Sequence, residues 1–267
     1  MHLRNANAHH PFLLMATLLA LAVLTGCGSS GSQSSSPGSA DLPPAIPAAV
    51  PVLLFNGTGT SSDVGAVQAV LNDLKIKYIT ADSSQLNAMT KQELGGYKLL
   101  IFPGGNSITI GQNLSPQTSA NVRAAVQLYG VHYLGICAGA FYGGFSIYNG
   151  VDLTGGVAFE FYADEFKGIH KNAVTLTFPK DSPRDVYWED GPQLSGWGAT
   201  VAKFPDGTPA IVEGNSGKGF VIFTGVHLEA PESWRASLSF NTPLSEDLAY
   251  AGTVFQAALN GTELPHF

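Results

Sequence analysis

Charge is scarce in this chain of 267 residues: charged side chains make up 12%, and 13 Lys and Arg stand against 20 Asp and Glu, for a formal charge of −7. No run of basic residues occurs, so the electrostatic footprint that a phosphate backbone requires is missing and a nucleic-acid partner is not expected. Cysteine is equally scarce. Two residues, Cys27 and Cys137, cannot build a disulfide framework in a chain of this length, and their different surroundings point to two separate uses. No Cys or His pair has metal-ligand spacing, so neither a metal nor another cofactor is expected. The single long apolar run, Phe12 to Val23, is too short to span a bilayer comfortably. By contrast, 45% apolar residues and 31 Gly exclude a disordered tail or a coiled coil and predict a globular fold with many tight turns.

The first residues follow an export pattern: a polar stretch with Arg4, the apolar run, then small residues at Thr25 and Gly26. Leu24-Thr25-Gly26-Cys27 resembles the lipobox of bacterial lipoproteins. That resemblance implies a signal peptide over 1–26, cleavage before Cys27, acylation of Cys27 and a lipid anchor in the bacterial cell envelope. The Gly at position 28 implies the outer membrane where the source has one. The alternative is an ordinary secretory signal with an incidental cysteine. Residues 27–50, nearly all Ser, Gly, Pro and Ala, cannot bury a core and read as a tether. The folded domain is then expected over 51–267, with His132, His170, His227 and His266 as its histidines.

Within that domain, apolar runs at Val52–Phe55, Ile76–Thr80, Lys98–Phe102 and Val131–Ile136 read as buried strands. Helical patterns separate them, at 62–74 after the possible caps Ser61 and Ser62, and at 115–128 with Pro116 in its first turn. Alternating strand and helix predict a doubly wound, mostly parallel α/β sandwich with its chemistry at the carboxyl ends of the strands. Residues 157–200 lose the helical period and predict an antiparallel β excursion. Thr208–Val212 and Gly219–Thr224 read as a hairpin, and 244–259 as a closing amphipathic helix. The Asn-x-Thr triplets at Asn56 and Asn260 read as turns.

Gly135-Ile136-Cys137-Ala138-Gly139-Ala140 lies where the fourth strand turns into a helix. A nucleophile elbow brings strand and helix backbones together, so the positions two before and two after the nucleophile must be small; both are Gly. The helix start favours the thiolate. Otherwise Cys137 is a buried small hydrophobe. Gly104 and Gly105, at the end of the neighbouring strand, offer N–H donors for an oxyanion beside that of Ala138. The strand Val221–Thr224 runs on to His227-Leu228-Glu229; if the backbone stays extended, His227 and Glu229 share a face, and Glu229 orients the ring that activates Cys137. The bland alternative is a satisfied histidine and a surface carboxylate. Phe141, Tyr142, Phe145, Tyr148, Phe159, Phe161, Tyr162, Tyr187 and Trp188 read as core or as a substrate wall, and Asp164, Glu165, Glu189 and Asp190 as loop caps.

Pro103-Gly104-Gly105, the Gly-Ile-Cys-Ala-Gly-Ala elbow and His227-Leu228-Glu229 together resemble the class I glutamine amidotransferase-like superfamily. Gly191-Pro192 and Gly217-Lys218-Gly219 extend the likeness to the biotin-protein ligase N-terminal domain family over residues 51–260. The resemblance implies a flavodoxin-like sandwich with a Cys137, His227, Glu229 triad. Glutamine-hydrolysing members usually carry Gln where this chain has Phe141, and Pro where it has Leu228, so glutamine recognition does not carry over. No room remains for a biotin ligase after the His-x-Glu segment. The expected function is a cysteine hydrolase or acyl transferase on a small-molecule or peptide-like amide or ester, with the membrane reached through the lipid anchor. A binding or scaffold protein with a vestigial triad, and a redox-sensing thiol protein, are the alternatives.

Overall fold

A computed structural model describes residues 42–60 and 63–267. The expected signal peptide over 1–26, Cys27, most of the expected tether, and the expected caps Ser61 and Ser62 lie outside the described residues. From Pro43 onward the chain forms one compact unit. Its elements begin β1 (Val52–Phe55), α1 (Asp63–Asp73), β2 (Tyr78–Ala81), α2 (Ser83–Ala88), α3 (Lys91–Leu94), β3 (Leu99–Phe102), α4 (Ser107–Asn113), α5 (Pro116–Tyr129), β4 (His132–Ile136) and α6 (Ala138–Gly143). They continue through β5 (Glu160–Phe161), β6 (Lys171–Leu176), β7 (Arg184–Glu189), β8 (Pro192–Gln193), β9 (Ala199–Lys203), β10 (Pro209–Ser216), β11 (Gly219–Thr224), α7 (Glu232–Arg235) and α8 (Leu244–Asn260).

Seven strands make one sheet in the order β2-β1-β3-β4-β11-β10-β9. The first five are mutually parallel, and β10 and β9 add on antiparallel. The fold is therefore α/β and flavodoxin-like. The strands VLLF, LLIF and FVIF are apolar at every position because helices cover both faces. Leu54, Ile101, Leu134 and Ile222 face α1 and α8, while Leu53, Leu100, Tyr133 and Val221 face α5. Each such side chain, fully buried, contributes about 1.5–3 kcal/mol of transfer free energy.

Local chemistry sets the helix ends. The Ser115 hydroxyl accepts the Thr118 amide at 3.0 Å, Pro116 opens α5, and Gly130 closes it at φ 79°. Reciprocal capping boxes start two of the short helices that the apolar pattern did not predict, Asp82 with Gln85 for α2 and Thr90 with Glu93 for α3. The hairpin is tighter than expected, since β10 runs to Ser216 and only Gly217 and Lys218 form the turn. The antiparallel excursion is present as the β6–β7 pair and the short β5–β8 pair.

The expected start of the folded part at residue 51 moves to Pro43. The Ile46 amide donates to the Gln92 carbonyl at 2.9 Å, and the Tyr129 hydroxyl donates to the Pro43 carbonyl at 2.9 Å. Among the described residues no helix is long and apolar enough to cross a membrane.

Candidate active site

Cys137 sits alone between β4 and α6 with φ 48° and ψ −105°, a left-handed conformation that costs a side-chain-bearing residue energy and persists only where its surroundings enforce it. The enforcement is visible. A Cβ on Gly135 would run into the Gly139 carbonyl, and one on Gly139 into the Phe102 carbonyl, so strand, turn and helix approach as an elbow requires. The Cys137 amide donates to the Thr224 carbonyl at 2.8 Å. α6 has only six residues, so its dipole is a smaller influence on the sulfur than the sequence led us to expect.

The structure brings His227 and Glu229 to that sulfur, though by a different route from the one expected. β11 ends at Thr224; His227 makes a single bridge to Tyr187, and residues 228 and 229 form a turn. The extended backbone assumed from the sequence is thus replaced by a turn. The turn carries Glu229 Oε1 to 2.9 Å from His227 Nδ1, and both side chains are buried. Nδ1 is engaged by Glu229, and the Cys137 thiol donates to the Glu189 carbonyl at 3.5 Å. Burial alone would push the histidine's pKa down; the Glu229 carboxylate and the Cys137 sulfur outweigh it and hold the imidazole well above the usual histidine range. Tyr187 and Trp234 close over the ring edge-on, at centroid distances of 5.9 and 5.6 Å.

Gly105 and Ala138 line a cleft of about 180 Å³ together with Cys137, Ile108, Phe141 and Phe161. Among the described residues neither the Gly105 nor the Ala138 amide donates to another protein group. Gly104 is not on that cleft wall. It packs behind, where a Cβ would meet Asp63 Oδ1 at 2.5 Å and the His227 ring at 2.6 Å. The aromatic residues divide accordingly: Tyr162, Tyr187 and Trp188 are buried, whereas Phe141 and Phe161 meet at the cleft with centroids 5.0 Å apart.

Two groups were not foreseen. Asp63, in the first turn of α1, is buried with Oδ1 3.5 Å from His227 Nδ1. Burial raises its carboxyl pKa, the His227 imidazole pulls it down and Glu229 pushes it up. Its sequence signal was position: the loop after β1 lies where the strand order reverses, the usual place for a ligand crevice in such sheets. The second group is at the cleft edge, where His170 Nδ1 lies 3.0 Å from Asp190 Oδ1 and 3.1 Å from Glu165 Oε2. These two carboxylates were expected to cap loops; instead they hold a histidine. Linear spacing gave no ligand cluster, yet the fold assembles two sets of carboxylate and imidazole atoms lying within 4.8 Å of one another, Asp63-His227-Glu229 and Glu165-His170-Asp190. In both, the ring nitrogen already pairs with the carboxylates.

Residues 50–172 match the family model described as "Biotin-protein ligase, N terminal". Among solved structures the chain is similar to PurLQS from Thermotoga maritima, at 15% identity and TM-score 0.51, with 77% of this chain and 97% of that chain covered. It is also similar to a GMP synthase-type protein from Thermoplasma acidophilum, at 13% identity and TM-score 0.48, covering 78% of this chain and 96% of that one. A third is the exo-beta-1,4-mannosidase Op5Man5 from Opitutaceae bacterium strain TAV5, at 13% identity and TM-score 0.48, where 78% of this chain aligns with 36% of the other. The chain thus spans about a third of that mannosidase. No curated protein matches. The family match over residues 50–172 and the flavodoxin-like sheet make the chain similar, in that segment and in fold, to the biotin-protein ligase N-terminal family.

Proposed function

We propose that this protein is a cysteine-dependent hydrolase or acyl transferase acting on a small amide or ester. The observation that carries the reading is Cys137 at φ 48° on a glycine-flanked elbow, its sulfur close enough to raise the pKa of an imidazole that Glu229 holds at 2.9 Å. The Cys137 thiolate attacks the acyl carbon, and the carbonyl oxygen takes the negative charge facing the amides of Gly105 and Ala138. His227, as imidazolium, passes its proton to the departing amine or alcohol. The acyl group stays on sulfur as a thioester. Water or an acceptor alcohol or amine, deprotonated by His227, then attacks the thioester and restores the thiol pair.

Phe141, Phe161 and Ile108 give the cleft an apolar wall, and Glu165 and Asp190 give it an acidic edge. That combination favours a compact acyl group that is apolar, neutral or cationic over an anionic one. Phe141 lies on that wall, so the cleft lacks the amide side chain that glutamine-hydrolysing members place there.

The test is trapping. Purified protein is incubated with a panel of thiol-directed amide and ester probes, and the adduct is located by intact mass and peptide mapping. Acylation at Cys137 that turns over with one of the corresponding substrates supports the proposal. Absence of any adduct across the panel, with the protein folded, leaves the binding-protein reading in its place.

We also propose that the protein is exported and acylated at Cys27, on the sequence of the lipobox and the tether-like composition that follows it. Intact mass and detergent partitioning check this. A Cys27→Ala protein that is still recovered lipidated would refute it.

A further inference from the structure

The search outside the proposed triad leads to Asp63, a buried carboxylate on a different element from Cys137, His227 and Glu229. We infer that Asp63 is a positioning residue for this site: a second carboxylate that shares with Glu229 the counter-charge for His227 and keeps the imidazole protonated beside the Cys137 thiolate. The inference rests on the triad reading above and extends it to a fourth side chain.

The placement is specific. The loop after β1 turns into α1 at the point where the strand order reverses, and the first turn of α1 directs Asp63 Oδ1 to 3.5 Å from His227 Nδ1. Glu229 approaches the same nitrogen at 2.9 Å. Gly104 is the space-maker, since a Cβ there would meet Asp63 Oδ1 at 2.5 Å and the His227 ring at 2.6 Å. Among the described residues the imidazole is the one cation paired with Asp63.

The groups facing this assembly are the Cys137 sulfur, the Glu229 and Glu189 carboxylates and the Tyr187 hydroxyl. All but the imidazole are neutral or anionic, so the sign of Asp63's effect depends on distance. Asp63 Oδ1 lies 3.5 Å from His227 Nδ1, a distance at which its attraction to the imidazolium is strong. The protonated ring is the form it favours.

Two carboxylates on one ring nitrogen also predict partial redundancy. Removing either should leave the imidazole partly protonated, and removing both should leave it as an ordinary buried histidine whose protonated form is disfavoured.

The test follows His227 directly, by ring resonances of histidine-labelled full chain in a Cys137→Ser background, assigned by their loss in His227→Ala. Asp63→Asn should lower the titration midpoint by roughly one pH unit, Glu229→Gln by more, and the double variant by more than either. Asp63→Glu should restore most of the loss, which a purely structural role would not require. An unchanged midpoint in a folded Asp63→Asn protein overturns the inference. If Asp63→Asn does not fold, the Asp63 carboxyl carbon and the His227 ring are titrated with Asp63 intact. A shared inflection supports the inference, and independent titrations overturn it. Alkylation of Cys137 in the otherwise unaltered protein separates the two readings. A thiol that reacts as a free one at every pH removes the triad, whereas a reactive thiol with an insensitive His227 removes only Asp63.

Discussion

The amide of Cys137 donates to the carbonyl of Thr224 at 2.8 Å. One bond thus ties the tip of β4 to the tip of β11, three residues before His227. Cys137 and the segment that carries His227 come from distant parts of the sequence, yet their backbones are joined at this bond.

That junction predicts which substitutions the elbow resists. Gly135→Val and Gly139→Val press a side chain into the Gly139 and Phe102 carbonyls respectively, whereas Cys137→Ser changes one atom. Both valine variants should lose about 2 kcal/mol or more relative to Cys137→Ser in urea denaturation, or fail to fold. Equal midpoints would contradict the elbow.

The imidazole's environment gives a pH prediction. Because Glu229 and the thiol hold His227 protonated well above the usual histidine range, the ion pair should persist through neutral pH and be lost as pH rises through the elevated histidine value. In a protein starting near Asp41, the thiol should alkylate readily in mildly acidic buffer. His227→Ala should move that reactivity upward in pH, and Glu229→Gln should do so less. Iodoacetamide rates across pH 5 to 9 measure it.

A buried ion pair anchors the helices behind the site. Arg235 of α7 donates to Asp247 of α8 and to the Thr242 carbonyl, and its neighbour Trp234 lies over His227. Burial pushes the Asp247 carboxyl up to about 6 despite Arg235. A folded-state value above the ordinary 3.8 means that its contribution is fully present below that pH and is lost as pH rises through about 6. Arg235→Met should therefore cost about 3 kcal/mol at pH 7 and progressively less as pH falls through about 6 and Asp247 takes up a proton. Chemical denaturation at several pH values checks it.

At the cleft edge, hydrogen bonds that His170 donates to Asp190 and Glu165, and the charge of these carboxylates, raise the His170 pKa. Asp190→Asn should lower its NMR titration midpoint more than Glu165→Gln does, because the Asp190 bond is the largest contribution. A midpoint that does not move would show that His170 is free of both.

Much of this was legible in the chain. Apolar four-residue runs ending in glycine-rich turns give the parallel strands, because a strand buried on both faces has no polar position to alternate. Cys137 between Gly135 and Gly139 is readable because backbone crowding dictates residue size. The turn that joins His227 to Glu229 was hidden: a period of two looks the same in an extended segment and in a turn that folds the carboxylate back onto the ring. Asp63 was hidden for another reason, since an acid in a first helical turn is ordinary and only the tertiary crossing of α1 with Gly104 and His227 distinguishes it. The His170 cluster joins residues 5 and 20 positions apart, a spacing set by a β excursion rather than by any local period.

The segment before β1 has a consequence for how the molecule can be held. Pro43 meets Tyr129 at the end of α5, Ile46 and Ala48 follow α3 and Gly96, and the Pro51 carbonyl takes the Lys98 and Leu99 amides, all at the edge where β1, β3 and β4 begin. Gly105 and Cys137 lie where β3 and β4 finish, about 13 Å further along the strands. A tag or support joined at residue 43 therefore grips the unit by its back. Molecules immobilised that way all present the mouth of the cleft outward.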